Sequence, residues 1–116
     1  MKVKRIVTNL AATDISKVRQ FYAEILGLKV VMDQGWIVTL AASAKMAPQI
    51  TIASEGGSGT AVPDLSVEVD DLDEALRRVR AAGLVVEYGP TSEPWQVRRF
   101  YVRDPLGRLV NILVHQ

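Results

Sequence analysis

The chain has 116 residues, with 14 Lys and Arg against 13 Asp and Glu, a formal net charge of +1 and 48% hydrophobic residues. This length fits one domain with a hydrophobic core, and the balanced charge gives no general reason to expect nucleic acid or an anionic membrane as partner. The sequence contains no cysteine, which excludes disulfides, thiolate metal ligands and a cysteine nucleophile and agrees with the cytoplasmic location that we expect.

The first half of the sequence predicts a strand, a helix and three more strands. Alternating, β-branched residues at 3–10 predict a strand, which we favour over a signal peptide. Thr13 or Asp14 is the expected helix cap, and apolar residues then recur at helical spacing until Gly27 stops the helix. Strands are predicted at 28–32, 36–42 and 49–53, with a loop at 43–47.

The second half repeats this pattern. A strand at 65–69 precedes a helix at about 72–82, which ends at Gly83. Further strands are predicted at 84–88, 97–103 and 108–114. The Gly- and Ser-rich stretch 54–60 lies between the copies and is interpreted as their linker. A repeat of roughly 55 residues is too large for a solenoid unit, so the sequence predicts a duplicated βαβββ module.

Both copies contain several short motifs. The first copy carries Asp14-Ile15, Phe21-Tyr22 and Leu26-Gly27-Leu28, and the second carries Val69-Asp70-Asp71-Leu72, Ala81-Ala82-Gly83, Gly89-Pro90, Pro94-Trp95 and Asp104-Pro105-Leu106-Gly107. In their order and spacing these motifs resemble the vicinal oxygen chelate superfamily, which includes glyoxalase I, bleomycin-resistance proteins and extradiol dioxygenases. The resemblance covers nearly the whole chain. It implies a single α+β domain over 1–116, in which two tandem βαβββ modules (1–53 and 61–116) form curled mixed sheets around a cleft, usually in a homodimer.

The resemblance also implies where a metal would bind. Metal-dependent members hold a divalent ion with His, Glu or Gln on the first and last strands of each module. Counted from the motifs, these positions fall on Val7, Asp64 and Asn111, with the remaining one at Gln49 or Thr51 and, in a looser alignment, Ile50. Val7 cannot ligate, Asn111 is a weak ligand, and a metal site needs three or four protein ligands. We therefore expect no metal and no cofactor, and we interpret Asp64 as a solvated strand start.

Strand alternation predicts which side chains face the cleft. The candidate ligand-binding residues are Val7, Asn9, Glu68, Arg99, Tyr101 and Asn111, together with Trp95, whose position in the family lies near the ligand groove. A few polar groups in an apolar concavity describe a small-molecule site. Trp95 could stack on a planar ligand or anchor its own loop, and the sequence leaves both open. Arg99 could contact an anion, whereas Arg98 and Arg108 are interpreted as solvated.

These features favour a metal-independent protein that binds a small molecule, such as an antibiotic or a secondary metabolite. The alternative is an enzyme of the same fold, a glyoxalase-like lyase or isomerase or a dioxygenase, with a divergent metal site or with Glu68 or Asp64 as base. A third class is a small dimeric protein with no ligand. The expected partners are a small molecule and a second copy of the chain, without nucleic acid or membrane.

Overall fold

The computed structural model describes residues 1–25, 27–42 and 49–116. In chain order the elements are β1 (Val3–Ala11), α1 (Ile15–Gln20) with a π-helical turn (Phe21–Ile25), β2 (Lys29–Asp33), β3 (Ile37–Ala41), β4 (Gln49–Ala53), β5 (Leu65–Val69), α2 (Leu72–Ala81), β6 (Val86–Glu93), β7 (Val97–Arg103) and β8 (Leu109–His115). The α+β class and the tandem βαβββ order are confirmed. The predicted loop at 43–47 lies outside the described residues, and no helix within them is long and apolar enough to cross a membrane.

The chain divides into two compact units. The N-terminal unit is Val7–Val62, and the C-terminal unit is Pro63–Gln116 together with Met1–Ile6. Strand order is β2-β3-β4-β1 in the N-terminal unit and β5-β8-β7-β6 in the C-terminal unit. In each module the first and last strands pair in parallel, and the others pair antiparallel. The two modules therefore have the same topology.

The stretch 54–60, predicted as a linker, falls inside the N-terminal unit. Its backbone closes on itself, because Gly56 N–H donates to the carbonyl oxygen of Thr60 at 2.8 Å and Thr60 N–H donates to that of Gly57 at 3.0 Å. The module bounds of 1–53 and 61–116 stay a prediction.

The repeated Asp of the two modules has the same role in each helix. The carboxylate of Asp14 accepts a hydrogen bond from Lys17 N–H at 3.2 Å, and that of Asp71 accepts one from Glu74 N–H at 3.0 Å. Each satisfies a backbone donor that the first helical turn leaves without a partner. The two aspartates are thus equivalent helix caps in the two modules.

Each sheet packs one face against its helix. In the C-terminal unit the buried cluster is Val69, Leu72, Ala75, Leu76, Phe100 and Val102, with Val67, Val110, Ile112 and Val114 packed on it. In the N-terminal unit Val38, Leu40 and Ile52 are buried beneath residues of α1. Side chains alternate between the faces of a strand, so the neighbouring residues of β5, β7 and β8 point away from α2, as the sequence predicts.

Two elements differ from their predictions. The first helix is α-helical only to Gln20 and continues as a π-helical turn, which apolar spacing alone does not distinguish from an α-helix. The strand predicted at 84–88 is β6 at Val86–Glu93 and runs through Pro90. β6 lies at the edge of its sheet, where the missing N–H of a proline need not remove a ladder hydrogen bond.

Gly89 is required by close packing as well as by its backbone conformation. Its φ is +77°, and a Cβ there would lie 2.5 Å from the carbonyl oxygen of Arg99 and 3.2 Å from Phe100 Cα. Gly107 has a similar φ of +79°, but a Cβ there would meet no atom of the described residues within 4 Å.

We expect Gly107→Ala to lower the free energy of unfolding by about 1 kcal/mol through backbone strain alone. Gly89→Ala should lower it by about 3 kcal/mol or more, because β6 must also move away from β7. Denaturant unfolding of both variants measures the difference. Equal losses would contradict the close approach of the two strands.

Candidate functional site

Most of the predicted site residues lie on one face of the C-terminal unit, opposite α2. Strand pairing places two rows of side chains across β6, β7, β8 and β5. The first row is Tyr88, Tyr101, Asn111 and Ser66, and the second is Thr91, Arg99, Leu113 and Glu68. We call these two rows the site face. The structure therefore brings together four of the predicted residues: Glu68, Arg99, Tyr101 and Asn111.

The Arg99 guanidinium is enclosed by aromatic rings. Its Cζ lies 4.9 Å from the ring centroid of Tyr101, 5.1 Å from that of Trp95 and 5.4 Å from that of Tyr88. Its Nε lies 3.6 Å from Oε1 of Glu93, which also accepts a short hydrogen bond from the Tyr88 hydroxyl. Both members of the ion pair are buried, with side chains 4% and 3% exposed. A buried charge requires such compensation.

This arrangement bears on the predicted roles of three residues. Arg99 contacts groups of its own chain, and Tyr101 is 3% exposed. Trp95 lies in the turn between β6 and β7, is half-buried and holds its ring over Arg99. This contact is compatible with both predicted roles of Trp95, the loop anchor and the stacking surface, and both stay predictions. Direct ligand contact by these side chains stays a prediction.

Asn111 combines burial with a polar group that the described residues do not satisfy. Its Nδ2 donates to the Ser66 hydroxyl at 3.1 Å, while no described residue donates to its Oδ1. The Ser66 hydroxyl can either accept or donate, so turning the amide over would exchange the two ends and still leave one of them without a partner. Asn111 is 7% exposed, and a buried polar atom in this state costs about 1–3 kcal/mol.

Glu68 lies at the centre of a cluster of basic side chains. Its carboxylate is 3.1 Å from Arg5 Nε, 3.1 Å from His115 Nδ1 and 3.5 Å from Lys4 Nζ. Burial acts to raise the pKa of the Glu68 carboxyl, but the hydrogen bond and charge of His115 and the charges of Arg5 and Lys4 outweigh it. The pKa lies below its ordinary value of 4.5. Glu68 is therefore an ionised partner of Arg5 and Lys4 that also contacts His115, which makes it a weak general base.

Val7 and Asn9 belong to the N-terminal unit. Val7 is buried, and Asn9 is half-buried beside Thr51, its partner in the pairing of β1 with β4. Thr51 in turn pairs with Thr39, and the two hydroxyls are 2.8 Å apart. By register, Thr51 corresponds to Asn111 of the second module. Ile50 packs toward α1 and so faces away from this row.

The residues at the family's metal positions do not fit a divalent ion. Val7 has no donor atom, and Asn111 offers only a neutral amide oxygen, which is a weak ligand. Asp64 Oδ2 accepts the backbone N–H of Leu109 at 3.0 Å, so that this carboxylate joins the start of β5 to the start of β8. Within residues 1–25, 27–42 and 49–116, no three His, Cys, Asp or Glu side chains come close enough together to hold a metal.

The sequence did not identify Tyr88, Glu93 or His115 as parts of this face. Tyr88 and Glu93 lie on β6, whose predicted strand stopped at 88, so strand alternation was not followed to Glu93. His115 has the same strand parity as Asn111, but its place near the end of the sequence favours a solvated side chain. In the structure its Nδ1 lies 3.1 Å from a Glu68 oxygen.

The Glu68 cluster predicts a pH dependence of stability. Folding lowers the pKa of Glu68. The stability that the ionised carboxylate contributes is therefore fully present above the unfolded pKa near 4.5, and it is lost as pH falls through the lower folded pKa. We expect Glu68→Gln to lower the Tm at pH 7, and we expect its Tm to converge with that of the wild type as pH falls below 4.5 and through the folded pKa of Glu68. Thermal unfolding from pH 7 to pH 3 tests this, with Glu24→Gln as a surface control. A Tm difference between Glu68→Gln and the wild type that stays constant from pH 7 to pH 3 would contradict the ionised state of Glu68.

Solved structures share this fold at low sequence identity. A Legionella pneumophila protein described as an NAD-dependent benzaldehyde dehydrogenase is 15% identical, with 97% of this chain and 100% of that chain covered and a TM-score of 0.80. A Vibrio splendidus member of the glyoxalase/bleomycin resistance protein/dioxygenase superfamily is 20% identical, with coverage of 99% and 100% and a TM-score of 0.67. A methylmalonyl-CoA epimerase in complex with methylmalonyl-CoA and NH4+ is 17% identical, with coverage of 98% and 96% and a TM-score of 0.73. At these identities the likeness shows the fold alone.

The family is shown by the sequence itself. No curated protein matches the chain. A family model described as the Glyoxalase/Bleomycin resistance protein/Dioxygenase superfamily matches residues 3–112. This match covers nearly the whole sequence and confirms the resemblance drawn from the motifs. The chain therefore belongs to the Glyoxalase/Bleomycin resistance protein/Dioxygenase superfamily.

Proposed function

We propose that this chain is a metal-independent protein that binds a small, partly aromatic molecule on the site face. The observation that carries the proposal is Asn111, a buried amide with one end that no described residue satisfies. A ligand with an N–H or O–H group could donate to Oδ1 and remove the cost of that atom. Such a group orients a ligand within a largely apolar site.

The neighbours of Asn111 favour an aromatic ligand. Tyr101 is its partner across β7 and β8, and Leu109 and Leu113 lie two residues away on the same face of β8. The Tyr88 ring lies 5.1 Å from that of Tyr101 at an interplanar angle of 46°. Aromatic faces and aliphatic side chains around one amide suit a planar ring with a polar substituent. An antibiotic or a secondary metabolite would have this chemistry.

The metal positions support binding without a metal. Val7 offers no ligand atom, Asn111 offers only a neutral amide oxygen, and one oxygen of Asp64 already accepts the Leu109 N–H. The enzymatic alternative needs a base, and Glu68, neutralised by its basic neighbours, is poorly suited to that role.

We further propose that the protein is a cytoplasmic homodimer. The β1 residues Val3 and Ile6 are 49% and 59% exposed, and burying them against a second copy would remove apolar surface from water. Light scattering at micromolar concentration tests the dimer, and a mass of one chain would contradict it.

Screening with small aromatic donors tests the function. We expect phenols, anilines or indoles to include ligands that raise the Tm of EDTA-treated protein, because native-state binding stabilises the fold. Asn111→Leu should weaken such a ligand about tenfold or more, the effect of losing one well-placed hydrogen bond. Arg98→Gln is the matched control, since Arg98 pairs with Asp73 at 3.0 Å on the other side of β7.

Three outcomes would count against this function. Binding or turnover that appears only after a divalent metal is added would favour the metal-dependent alternative. Epimerisation of methylmalonyl-CoA or another catalysed reaction by the EDTA-treated protein would favour an enzyme without a metal. If no compound raises the Tm, the third class, a dimeric protein without a ligand, would be favoured.

A further inference from the structure

The groups that surround Arg99 have the composition of a site for organic cations. We define the cation box as Tyr88, Glu93, Trp95 and Tyr101. It presents three aromatic rings with centroids 4.9–5.4 Å from one guanidinium carbon, and a carboxylate whose Oε1 lies 3.6 Å from Nε. Aromatic faces attract cations through their quadrupole, and protein sites for quaternary ammonium groups use such rings. In this chain the cation in the box is supplied by the chain itself.

The box adjoins the site face and reaches the surface. Tyr101 belongs to both, because it pairs with Asn111 across β7 and β8 and lies beneath Arg99. Trp95 and Tyr88 are half-buried, so part of each residue remains exposed. A ligand bound at Asn111 would therefore lie next to the box.

We propose that the cation box is the subsite for a guanidinium or quaternary ammonium group of the ligand, and that Arg99 occupies it in the unliganded protein. This inference rests on the proposed function and adds a charge to the ligand class. When the ligand binds, its cation replaces the Arg99 guanidinium, which moves into water on its flexible side chain.

The exchange conserves the charge inside the box. Glu93 keeps a cationic partner, and the three rings keep a cation on their faces. The exchange therefore leaves no buried carboxylate without a compensating charge. A neutral ligand that displaced Arg99 would leave the Glu93 carboxylate buried without a positive charge. The box should therefore distinguish a cation from a neutral molecule of the same shape.

A matched pair of small aromatic molecules tests this in the wild-type protein. Phenylguanidinium and phenylurea have nearly the same shape, but only the first is charged. We expect phenylguanidinium to bind about tenfold tighter than phenylurea or more, because it can form two or more cation–π contacts. Its binding should also shift the Trp95 indole N–H signal in NMR titrations. Arg99→Ala should strengthen phenylguanidinium binding further, about tenfold, because the internal competitor is gone. Arg98→Ala, which removes the neighbouring arginine that pairs with Asp73 on the opposite face of β7, should change neither affinity.

The outcomes separate this inference from the proposed function. Equal affinities for phenylguanidinium and phenylurea would overturn the cation box and leave aromatic binding intact. Failure of the wild type to bind phenylguanidinium, while neutral phenols or indoles bind, would also overturn it. An Arg99→Ala protein that folds without any gain in affinity would show that Arg99 does not compete. If that variant fails to fold, the affinities of the wild type for phenylguanidinium and phenylurea decide whether the cation box prefers a cation.

Discussion

The side-chain arrangement of the C-terminal unit depends on one buried cation. Removing a guanidinium from water costs several kcal/mol unless nearby groups compensate it, and Arg99 is 4% exposed. The Glu93 carboxylate and three ring faces provide that compensation. They come from β6, from β7 and from the turn that joins these strands. Their contacts with Arg99 therefore hold the turn against the site face. The burial of Tyr101 and the position of Trp95 follow from this interaction.

The two modules have kept one topology and have diverged in their side chains. Corresponding ladder positions hold Asn9, Thr51 and Thr39 in the first module and Ser66, Asn111 and Tyr101 in the second. In the first, two threonine hydroxyls lie 2.8 Å apart and satisfy each other. In the second, one end of a buried amide has no partner among the described residues. The features that favour a ligand therefore lie in the second copy, which also carries the aromatic rings.

Hydrophobic periodicity and the repeated Asp and Gly predicted the order of the helices and strands. Strand alternation predicted to which face of the sheet the side chains of the second module point. The same reasoning could not place Glu93, because β6 continues through Pro90 at a sheet edge where proline is tolerated. It also could not show that Arg99 is enclosed, since alternation gives the face of a residue and not its burial. The contact of Glu68 with His115 joins positions far apart in sequence, and only the pairing of β5 with β8 brings them together.

A double-mutant cycle on Glu93 and Arg99 tests the central claim most directly. Glu93→Gln and Arg99→Met each leave the other group buried without its charged partner, and each should lower the free energy of unfolding by about 3 kcal/mol or more. The double variant removes both charges and should cost less than the sum by about 2 kcal/mol, measured by denaturant unfolding. Additive losses, within about 0.5 kcal/mol, would show that the two groups do not depend on each other and would contradict the account.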